Sequence, residues 1–363
     1  MRWIIFFSMW TLWSCSKAKN DAVTNDAQPL VIAYYAGDAA AIQSYDLHGV
    51  DQIIYSFMHL KGNRLAIDNE ADSLALVALI NQKIKYPQLK VLVSLGGWGG
   101  CETCSSVFSS AEGRAEFVKS CVEVIDFYGA DGIDLDWEYP AIAGYPGHEF
   151  QPADRENFTA LVQSLRQAMR EDLVLSFAAG ASSNFIENSV EWEKVMPEVD
   201  HVNIMTYDFY GAGSTMTGHH TALGSNTFEK RSAVQTIEEL YKKGVKPEQI
   251  VLGAAFYVKT FKNIDSLNNG LFQPAEWNRS YSQPEFETIK SEFDFYWDEA
   301  AQAPYAYSTE NRIFATFDDQ RSIESKVSYV LNQNLKGIMF WQLMNDHKKD
   351  GLLKTMVNAV KSD

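Results

Sequence analysis

The chain has 363 residues, of which 46% are hydrophobic and 21% are charged, and its formal net charge is −16 at pH 7. This composition is typical of a globular protein with a sizeable core, and the length suits one large barrel or two ordinary domains. The negative charge argues against a nucleic-acid partner and against electrostatic binding to anionic lipids.

The N-terminal segment has the pattern of an export signal. Arg2 precedes an apolar run, Trp3–Trp13, which is shorter than the roughly 20 residues of a membrane span but suits the hydrophobic region of a signal peptide. The run ends in "LWSC", where a cysteine resembles the lipidation site of bacterial lipoproteins. We predict a lipoprotein signal peptide over residues 1–14, lipidation of Cys15 and a polar tether over residues 15–28. A plain secretory signal is the alternative.

This prediction places the protein outside the cytoplasm, anchored to a bacterial outer membrane on its periplasmic or surface side. The lipid would be its only contact with the membrane, and we expect a monomer.

Short apolar segments alternate with helical patterns from residue 30 onward. Eight candidate strands are continuously apolar at their starts, as strands buried on both faces are. They cover residues 30–37, 52–60, 90–98, 132–140, 173–180, 201–210, 249–257 and 337–346. Helical patterns fall mostly between them, at residues 72–86, 111–128, 154–170, 229–243 and 322–333. This order predicts an α/β fold over residues 29–363, with eight parallel strands closed as a (β/α)8 TIM barrel.

One connection is longer than the others. Residues 258–317 separate the seventh strand from the eighth helix, and a structureless loop of that length is uncommon in a compact domain. We therefore predict a small α+β insertion at this place.

Cysteine spacing indicates a disulfide more than a metal site. Cys101 and Cys104 form a CxxC pattern, which an export compartment permits to oxidise; free thiols are the alternative. A zinc site would normally need a second ligand pair, and none follows at metal-like spacing. We predict no metal and no cofactor.

The stretch "DGIDLDWEYP" places acids in a strand that is otherwise apolar. Side chains alternate along a strand, so Asp134, Asp136 and Glu138 share the face that points into the barrel. Neighbouring carboxyl groups cannot all be ionised in a low-dielectric interior, so protons must be shared and some pKa values must rise. Glu138 lies nearest the rim and is the natural general acid, with Asp136 beside it and Asp134 deeper as a proton-sharing partner. A Mg²⁺ or Ca²⁺ site and a structural network are the alternatives.

Polar and aromatic residues gather at the C-terminal ends of the predicted strands, where barrel enzymes build their sites. Five segments in register resemble the family 18 glycoside hydrolases, the chitinase family. They are "DGIDLDWE" at 131–138, "SLGGW" at 94–98, "MTYDF" at 205–209, "GAAFY" at 253–257 and "MFWQLMND" at 339–346. The resemblance runs from about residue 30 to residue 355.

The resemblance implies a retaining enzyme that cleaves β-1,4 bonds between N-acetylglucosamine units of chitin. It implies that Glu138 protonates the glycosidic oxygen while the sugar's own acetamido group attacks, and that Asp136 stabilises the oxazolinium ion. Tyr207 and Asp208 would bind the acetamido group and orient the donor. The implied substrate-binding residues are Trp341, Trp98, Tyr34, Phe57, Met205 and Tyr257, with ordinary barrel packing as the alternative for each.

The position of the acids on one strand agrees with this scheme. Ordinary glycosidases place two carboxylates on opposite sides of the scissile bond. Asp136 and Glu138 come from the same strand, so Asp136 is poorly placed to attack the sugar from the far face. A substrate that supplies its own nucleophile fits better.

The chain departs from the family pattern after the seventh strand. Val258 and Lys259 replace a common Gly-Arg pair, and Ala255 replaces a proline, which puts contacts in that subsite in doubt. His219 and His220 have no acids at ligand spacing and are interpreted as loop residues.

Two rival functions use the same barrel. One is an endo-β-N-acetylglucosaminidase acting on N-glycans, and the other is a non-catalytic chitin-binding lectin. Retention of Glu138 argues against the lectin. Trp277, Trp297 and Tyr305 in the insertion are candidates for a cleft wall.

Overall fold

The computed structural model describes residues 28–361. The predicted signal peptide, Cys15 and all but the last residue of the predicted tether lie outside the described residues. The strands are β1 Leu30–Tyr35, β2 Gln52–Lys61, β3 Arg64–Ala66, β4 Lys90–Gly96, β5 Gly132–Asp136, β6 Val174–Gly180, β7 His201–Met205, β8 Ile250–Ala255, β9 Tyr257–Lys262, β10 Glu276–Ser282, β11 Asp294–Asp298, β12 Ala303–Ser308, β13 Ile313–Thr316 and β14 Gly337–Trp341.

Eight of these strands form a closed parallel barrel. Their order around the barrel is β1, β2, β4, β5, β6, β7, β8 and β14, and β1 pairs with both β2 and β14, which closes the ring. The predicted (β/α)8 TIM barrel is therefore confirmed. β3 is a short antiparallel partner of β2 that the sequence analysis did not predict.

Helices surround the barrel, apart from one short helix that follows β10 in the insertion. They are α1 Glu70–Lys85, α2 Cys104–Phe108, α3 Ala111–Tyr128, α4 Asp154–Ala168, α5 Ser183–Asn188, α6 Trp192–Val195, α7 Ala233–Lys242, α8 Gln283–Glu287, α9 Gln320–Asn332 and α10 Leu352–Lys361. The connection from β1 to β2 contains a single 3-10 turn, Ala41–Ser44, instead of an α-helix. No helix within residues 28–361 is long and apolar enough to cross a membrane.

Local sequence determines where the helices begin and end. α3 starts after Ser110, whose side chain accepts a hydrogen bond from the Gly113 N–H, and ends at Gly129 in a left-handed conformation with φ 72°. α7 starts later than predicted, because Ser232 caps it. The preceding Glu229 and Arg231 are instead engaged in an ion pair with each other.

The lumen is filled by alternate side chains of the barrel strands. One buried apolar cluster occupies it, formed by Ile32, Tyr34, Ile54, Leu92, Val174, Val251 and Met339. Asp134 of β5 lies level with Ser94 of β4 and Ser176 of β6, because the parallel register pairs these residues. A carboxyl group is thus surrounded by hydroxyl groups in an otherwise apolar core.

The insertion is a separate antiparallel sheet on the barrel. Its strand order is β10, β9, β13, β12 and β11, with the short helix α8 after β10. Only Phe256 separates β8 of the barrel from β9 of the insertion, so the barrel wall continues directly into the second sheet. The predicted α+β insertion between the seventh strand and the eighth helix is confirmed.

A buried ion pair joins the end of the insertion to the barrel. Lys326 of α9 donates to both carboxylate oxygens of Asp318 at 2.7 and 2.5 Å, and neither side chain is exposed to solvent. Asp318 also accepts the Ala255 N–H at 2.9 Å. The pair thereby ties α9 to the last residue of β8.

A disulfide closes the loop that follows β4. Cys101 and Cys104 are bonded and buried, in agreement with the interpretation of the CxxC pattern. Cys121 is a free, buried thiol in α3.

Candidate active site

A cleft of about 990 Å³ opens at the C-terminal ends of the barrel strands. All the predicted site residues in the described chain line it, except Asp134, which lies beneath its floor. The lining includes Asp136, Glu138, Tyr207, Asp208, Trp341, Trp98, Tyr34, Phe57, Met205 and Tyr257. Strand order therefore brings together residues that are far apart in the sequence.

Asp134 is fully buried and is held by four side chains from four other strands of the barrel. Its carboxylate contacts Ser176 Oγ at 2.6 Å, Tyr34 Oη at 3.0 Å, Ser94 Oγ at 3.1 Å and Asn203 Nδ2 at 3.1 Å. Burial raises the pKa of Asp134, and these hydrogen bonds oppose that rise.

The sharing of protons along β5 stays a prediction. The hydrogen bonds of Asp134 run sideways to β1, β4, β6 and β7. These contacts stabilise the charged form of Asp134 against the larger effect of burial, which leaves its pKa raised.

Asp136 lies in the opposite situation. It is 4% exposed, and its Oδ1 atom is buried without a hydrogen-bond partner. Burial raises the pKa of Asp136 well above its ordinary value, and the nearby charges of Glu138 and Asp134 raise it further. Asp136 thus lines the cleft with a carboxyl group of which one oxygen has no hydrogen-bond partner.

Glu138 lies just beyond the end of β5. Burial raises the pKa of Glu138 to about 7; a hydrogen bond from Tyr139 opposes the rise, and the charge of Asp208 adds to it. The largest cause is therefore removal from water, whereas the sequence analysis expected crowding by the other acids of the row. The acid neighbour that contributes comes from the loop after β7.

Asp208 forms the opposite wall of the cleft and stays charged. Its Oδ1 atom accepts a hydrogen bond from the Tyr257 hydroxyl and lies 2.6 Å from Lys259 Nζ. Partial desolvation alone would raise the pKa of Asp208, but contacts with His220 and Lys259 hold it well below its ordinary value. Tyr207 lies on the same wall of the cleft as Asp208, and its ring packs edge to face against that of Tyr257, with the ring centroids 6.2 Å apart.

Aromatic rings occupy two regions of the cleft. Trp341 is stacked on Phe57, with ring centroids 5.5 Å apart and planes inclined by 15°. The ring centroid of Tyr34 lies 5.9 Å from that of Trp341. Trp98 follows β4 and is 59% exposed, with Tyr145 at 5.5 Å along its edge. Flat apolar rings of this kind suit the C–H faces of sugars.

Several residues that the sequence analysis considered lie elsewhere. Asp131 precedes β5, at the end of the strand opposite the cleft, and both of its carboxylate oxygens lie 2.7 Å from Lys83 Nζ. Asp346 accepts the N–H groups of Leu352 and Leu353 at 2.9 Å and thus caps α10.

The insertion contributes two aromatic side chains of β10 to the cleft, Trp277 and Tyr281. Trp277 lines it together with Lys259. Trp297 instead packs under Arg321, whose guanidinium lies 3.8 Å from its ring centre, and Tyr305 packs against Tyr296. Of the three candidate wall residues, Trp277 alone lines the cleft.

The interpretation of the two histidines was incomplete. Both are buried in the loop after β7, and each has an acid neighbour that is distant in sequence. His219 Nε2 lies 3.1 Å from Asp298, and His220 Nδ1 lies 3.6 Å from Asp208. The sequence analysis also missed Asn203, although its inward position in "HVNIM" is a signal that strand parity offers.

Across residues 28–361, no three His, Cys, Asp or Glu side chains form a group that could hold a metal ion.

The fold and the site together define a class of protein. A parallel barrel that raises carboxyl groups through its lumen into a cleft lined by aromatic rings is the architecture of a barrel glycoside hydrolase. Comparison with protein families agrees: the model of the glycosyl hydrolases family 18 matches residues 30–346. The chain belongs to this family.

Two relatives of known structure have the same fold. A cell-surface-expressed multi-modular chitinase from Paenibacillus sp. str. FPU-7 is 30% identical, with a TM-score of 0.86, and the match covers 92% of this chain and 33% of that one. A family 18 N-acetylglucosaminidase from Paenibacillus barengoltzii is 31% identical, with a TM-score of 0.83, and the match covers 91% and 99%.

Chitinase A1 of Niallia circulans is 31% identical over 318 residues, which cover 78% of this chain. The match spans 44% of Chitinase A1, less than half of its length.

Proposed function

We propose that this protein hydrolyses β-1,4 bonds between N-acetylglucosamine units in chitin or its oligosaccharides, with retention of configuration. The observation that carries the proposal is the unpartnered Oδ1 of Asp136 beside Glu138, whose pKa is about 7. An acceptor without a donor suits a substrate N–H group, and a carboxyl group protonated near neutrality suits general-acid catalysis.

The reaction follows from these two groups. Glu138 donates its proton to the glycosidic oxygen as the bond from that oxygen to C1 breaks. The carbonyl oxygen of the substrate's 2-acetamido group attacks C1 from the other face and forms an oxazolinium ion. Asp136 accepts the acetamido N–H and stabilises the positive charge. Glu138, now ionised, removes a proton from a water molecule as that water attacks C1. The bond from C1 to the acetamido oxygen breaks, which opens the oxazolinium ring and gives a product of the original configuration.

The cleft walls support the same reaction. Trp341, stacked on Phe57, offers a flat floor for the sugar that reacts. The Tyr207 hydroxyl can donate to the acetamido carbonyl, because Tyr207 lines the cleft and burial raises its pKa well above the ordinary value. Asp208 stays charged and thereby favours the protonated form of Glu138.

Glu138→Gln tests the assignment of the acid. Loss of the proton donor should lower kcat on N-acetylglucosamine oligosaccharides by about 10²- to 10⁴-fold and leave Kd nearly unchanged, because the proton is needed only in the transition state. Glu193→Gln, which removes an exposed carboxyl group from α6, is the matched control. Turnover by Glu138→Gln near that of the control would contradict the proposal.

The configuration of the product tests participation of the acetamido group. Proton NMR of fresh hydrolysate should show the β anomer first, and an α product would exclude the oxazolinium route.

The product sizes separate a chitinase from a second candidate, an N-acetylglucosaminidase that releases single sugar units. The match to the N-acetylglucosaminidase over 99% of its chain is the reason to test for release of single sugar units. An N-acetylglucosamine hexamer should yield dimers and trimers from a chitinase but monomers from the other enzyme. A high-mannose glycoprotein assayed in parallel should remain intact, whereas the rival endo-β-N-acetylglucosaminidase would cleave its N-glycans.

We also propose that the protein is exported and anchored through a lipid on Cys15. The disulfide between Cys101 and Cys104 supports an oxidising compartment. Cys15→Ala should move the protein from the membrane fraction to the soluble fraction, and unchanged fractionation would contradict lipidation.

A further inference from the structure

His220 is a buried histidine with unusual surroundings. Its side chain has no solvent exposure, and neither ring nitrogen has a hydrogen-bond partner in the part of the chain that the structure describes. A buried polar group without a partner is costly, and an apolar ring would fill the same space without that penalty. A histidine at this position therefore calls for a functional explanation.

The ring lies directly behind the Asp208 carboxylate. His220 Nδ1 is 3.6 Å from Asp208 Oδ1, which is too long for a hydrogen bond but close enough for the dipole of a ring N–H group to stabilise the carboxylate. Tyr257 connects the two residues, since its hydroxyl donates to Asp208 and its ring lies 5.2 Å from that of His220.

Two hydrogen bonds of its backbone groups hold His220 in place behind Asp208. The Phe209 N–H donates to the His220 carbonyl at 3.1 Å, so the residue after Asp208 is tied to the residue that faces it. The His220 N–H donates to Thr316 Oγ1 of β13 at 3.1 Å. The backbone of His220 is therefore hydrogen-bonded both to the loop after β7 and to the insertion.

We propose that His220 is a positioning residue that holds the Asp208 carboxylate in place on the cleft wall, facing Glu138. The inference rests on the function proposed above. His220 makes no contact with the reacting atoms, and it acts through Asp208, whose negative charge favours the protonated acid. A carboxylate that lost this support would rest on Lys259 and Tyr257 alone and would influence Glu138 less.

The charged and titratable groups around His220 agree with a neutral ring that supports a negative neighbour. Burial lowers its pKa; Asp208 and Asp318 oppose that change, and Lys259 adds to it. Near neutral pH the uncharged imidazole can direct an Nδ1–H toward Asp208 without cancelling its charge.

Two substitutions separate positioning from packing. His220→Asn places an amide nitrogen near the position of Nδ1 and keeps a donor beside Asp208. His220→Gln places its amide nearer the position of Nε2 and removes that donor while keeping a polar group in the core. His219→Gln is the matched control, because His219 is equally buried but contacts Asp298.

The measurement is kcat/KM on an N-acetylglucosamine tetramer between pH 4 and pH 9, with a thermal midpoint for each variant. For His220→Gln we expect a loss of about ten-fold at pH 7 and a shift of the basic limb to lower pH by about half a unit. His220→Asn should keep the wild-type limb, and His219→Gln should change the thermal midpoint alone.

Carbon-13 NMR of the Glu138 carboxyl group gives its titration directly and needs no activity. Its midpoint should fall in His220→Gln and stay in His220→Asn. An unchanged midpoint in His220→Gln, or equal shifts in all three variants, would overturn the inference. If the wild type cleaves no N-acetylglucosamine oligosaccharide, the proposed function has failed, and the NMR midpoints still decide the role of His220.

Discussion

The ion pair between Lys326 and Asp318 supports the cleft from behind and can be broken by one substitution. Lys326→Met keeps a similar chain length and removes the ammonium group. Asp318 would retain hydrogen bonds from the Ala255 N–H at 2.9 Å and Ser322 Oγ at 2.7 Å but would lose its counter-charge. Removing one partner of a pair with no solvent exposure costs about 3–5 kcal/mol, because the remaining charge stays buried.

Urea unfolding followed by tryptophan fluorescence measures this loss. The matched control is Lys354→Met, which breaks a pair with Asp350 whose side chains are 62% and 76% exposed, and it should cost less than about 1 kcal/mol. The double variant Lys326→Met with Asp318→Asn should recover part of the loss, since no charge is then buried. If Lys326→Met destabilises the protein no more than Lys354→Met, the reasoning about buried charge is wrong.

Three further predictions concern the cleft. The rate should fall through pH 7 as pH rises, about ten-fold per unit above it, since Glu138 must be protonated and its pKa is about 7; kcat/KM that stays level to pH 9 would contradict this. Asp136→Asn should lower kcat by about 10²-fold or more without lowering the thermal midpoint, because the lost carboxyl group is the one with an unpartnered oxygen; a kcat close to that of the wild type would argue against its role. Trp98→Ala should raise KM several-fold, change kcat little and leave stability unchanged, since the ring is 59% exposed; an unchanged KM would exclude Trp98 from substrate binding.

The sequence was most informative where local pattern decides the structure. Parity along β5 predicted that Asp134, Asp136 and Glu138 face inward, and that pattern needs no knowledge of distant residues. The eight apolar segments predicted the barrel because strands buried on both faces must be apolar along their length.

The sequence was least informative where side chains meet from distant segments. Nothing near His220 in the chain indicates that it lies behind Asp208, because the contact depends on how the loop after β7 folds over β9. The same holds for the hydrogen bonds of Asp134, which come from four other strands. The start of α7 was placed too early, because Ser232 caps the helix three residues after the predicted start.

The cause of the raised pKa of Glu138 shows the same limit. Sequence spacing suggests crowding by neighbouring acids, but the amount of water that the fold excludes is a property of the whole rim. Burial is the largest cause in the structure, and Asp208 contributes from the loop after β7.

The exposed ring of Trp98 has a thermodynamic consequence. Trp341 already rests against Phe57 in the free protein, whereas Trp98 keeps 59% of its surface in water. If a sugar covers Trp98, the water displaced from that ring makes the heat capacity change of binding negative. The two tryptophans would then differ in how their contributions vary with temperature, and the affinity of the Trp98 end of the cleft would be the more sensitive to cooling.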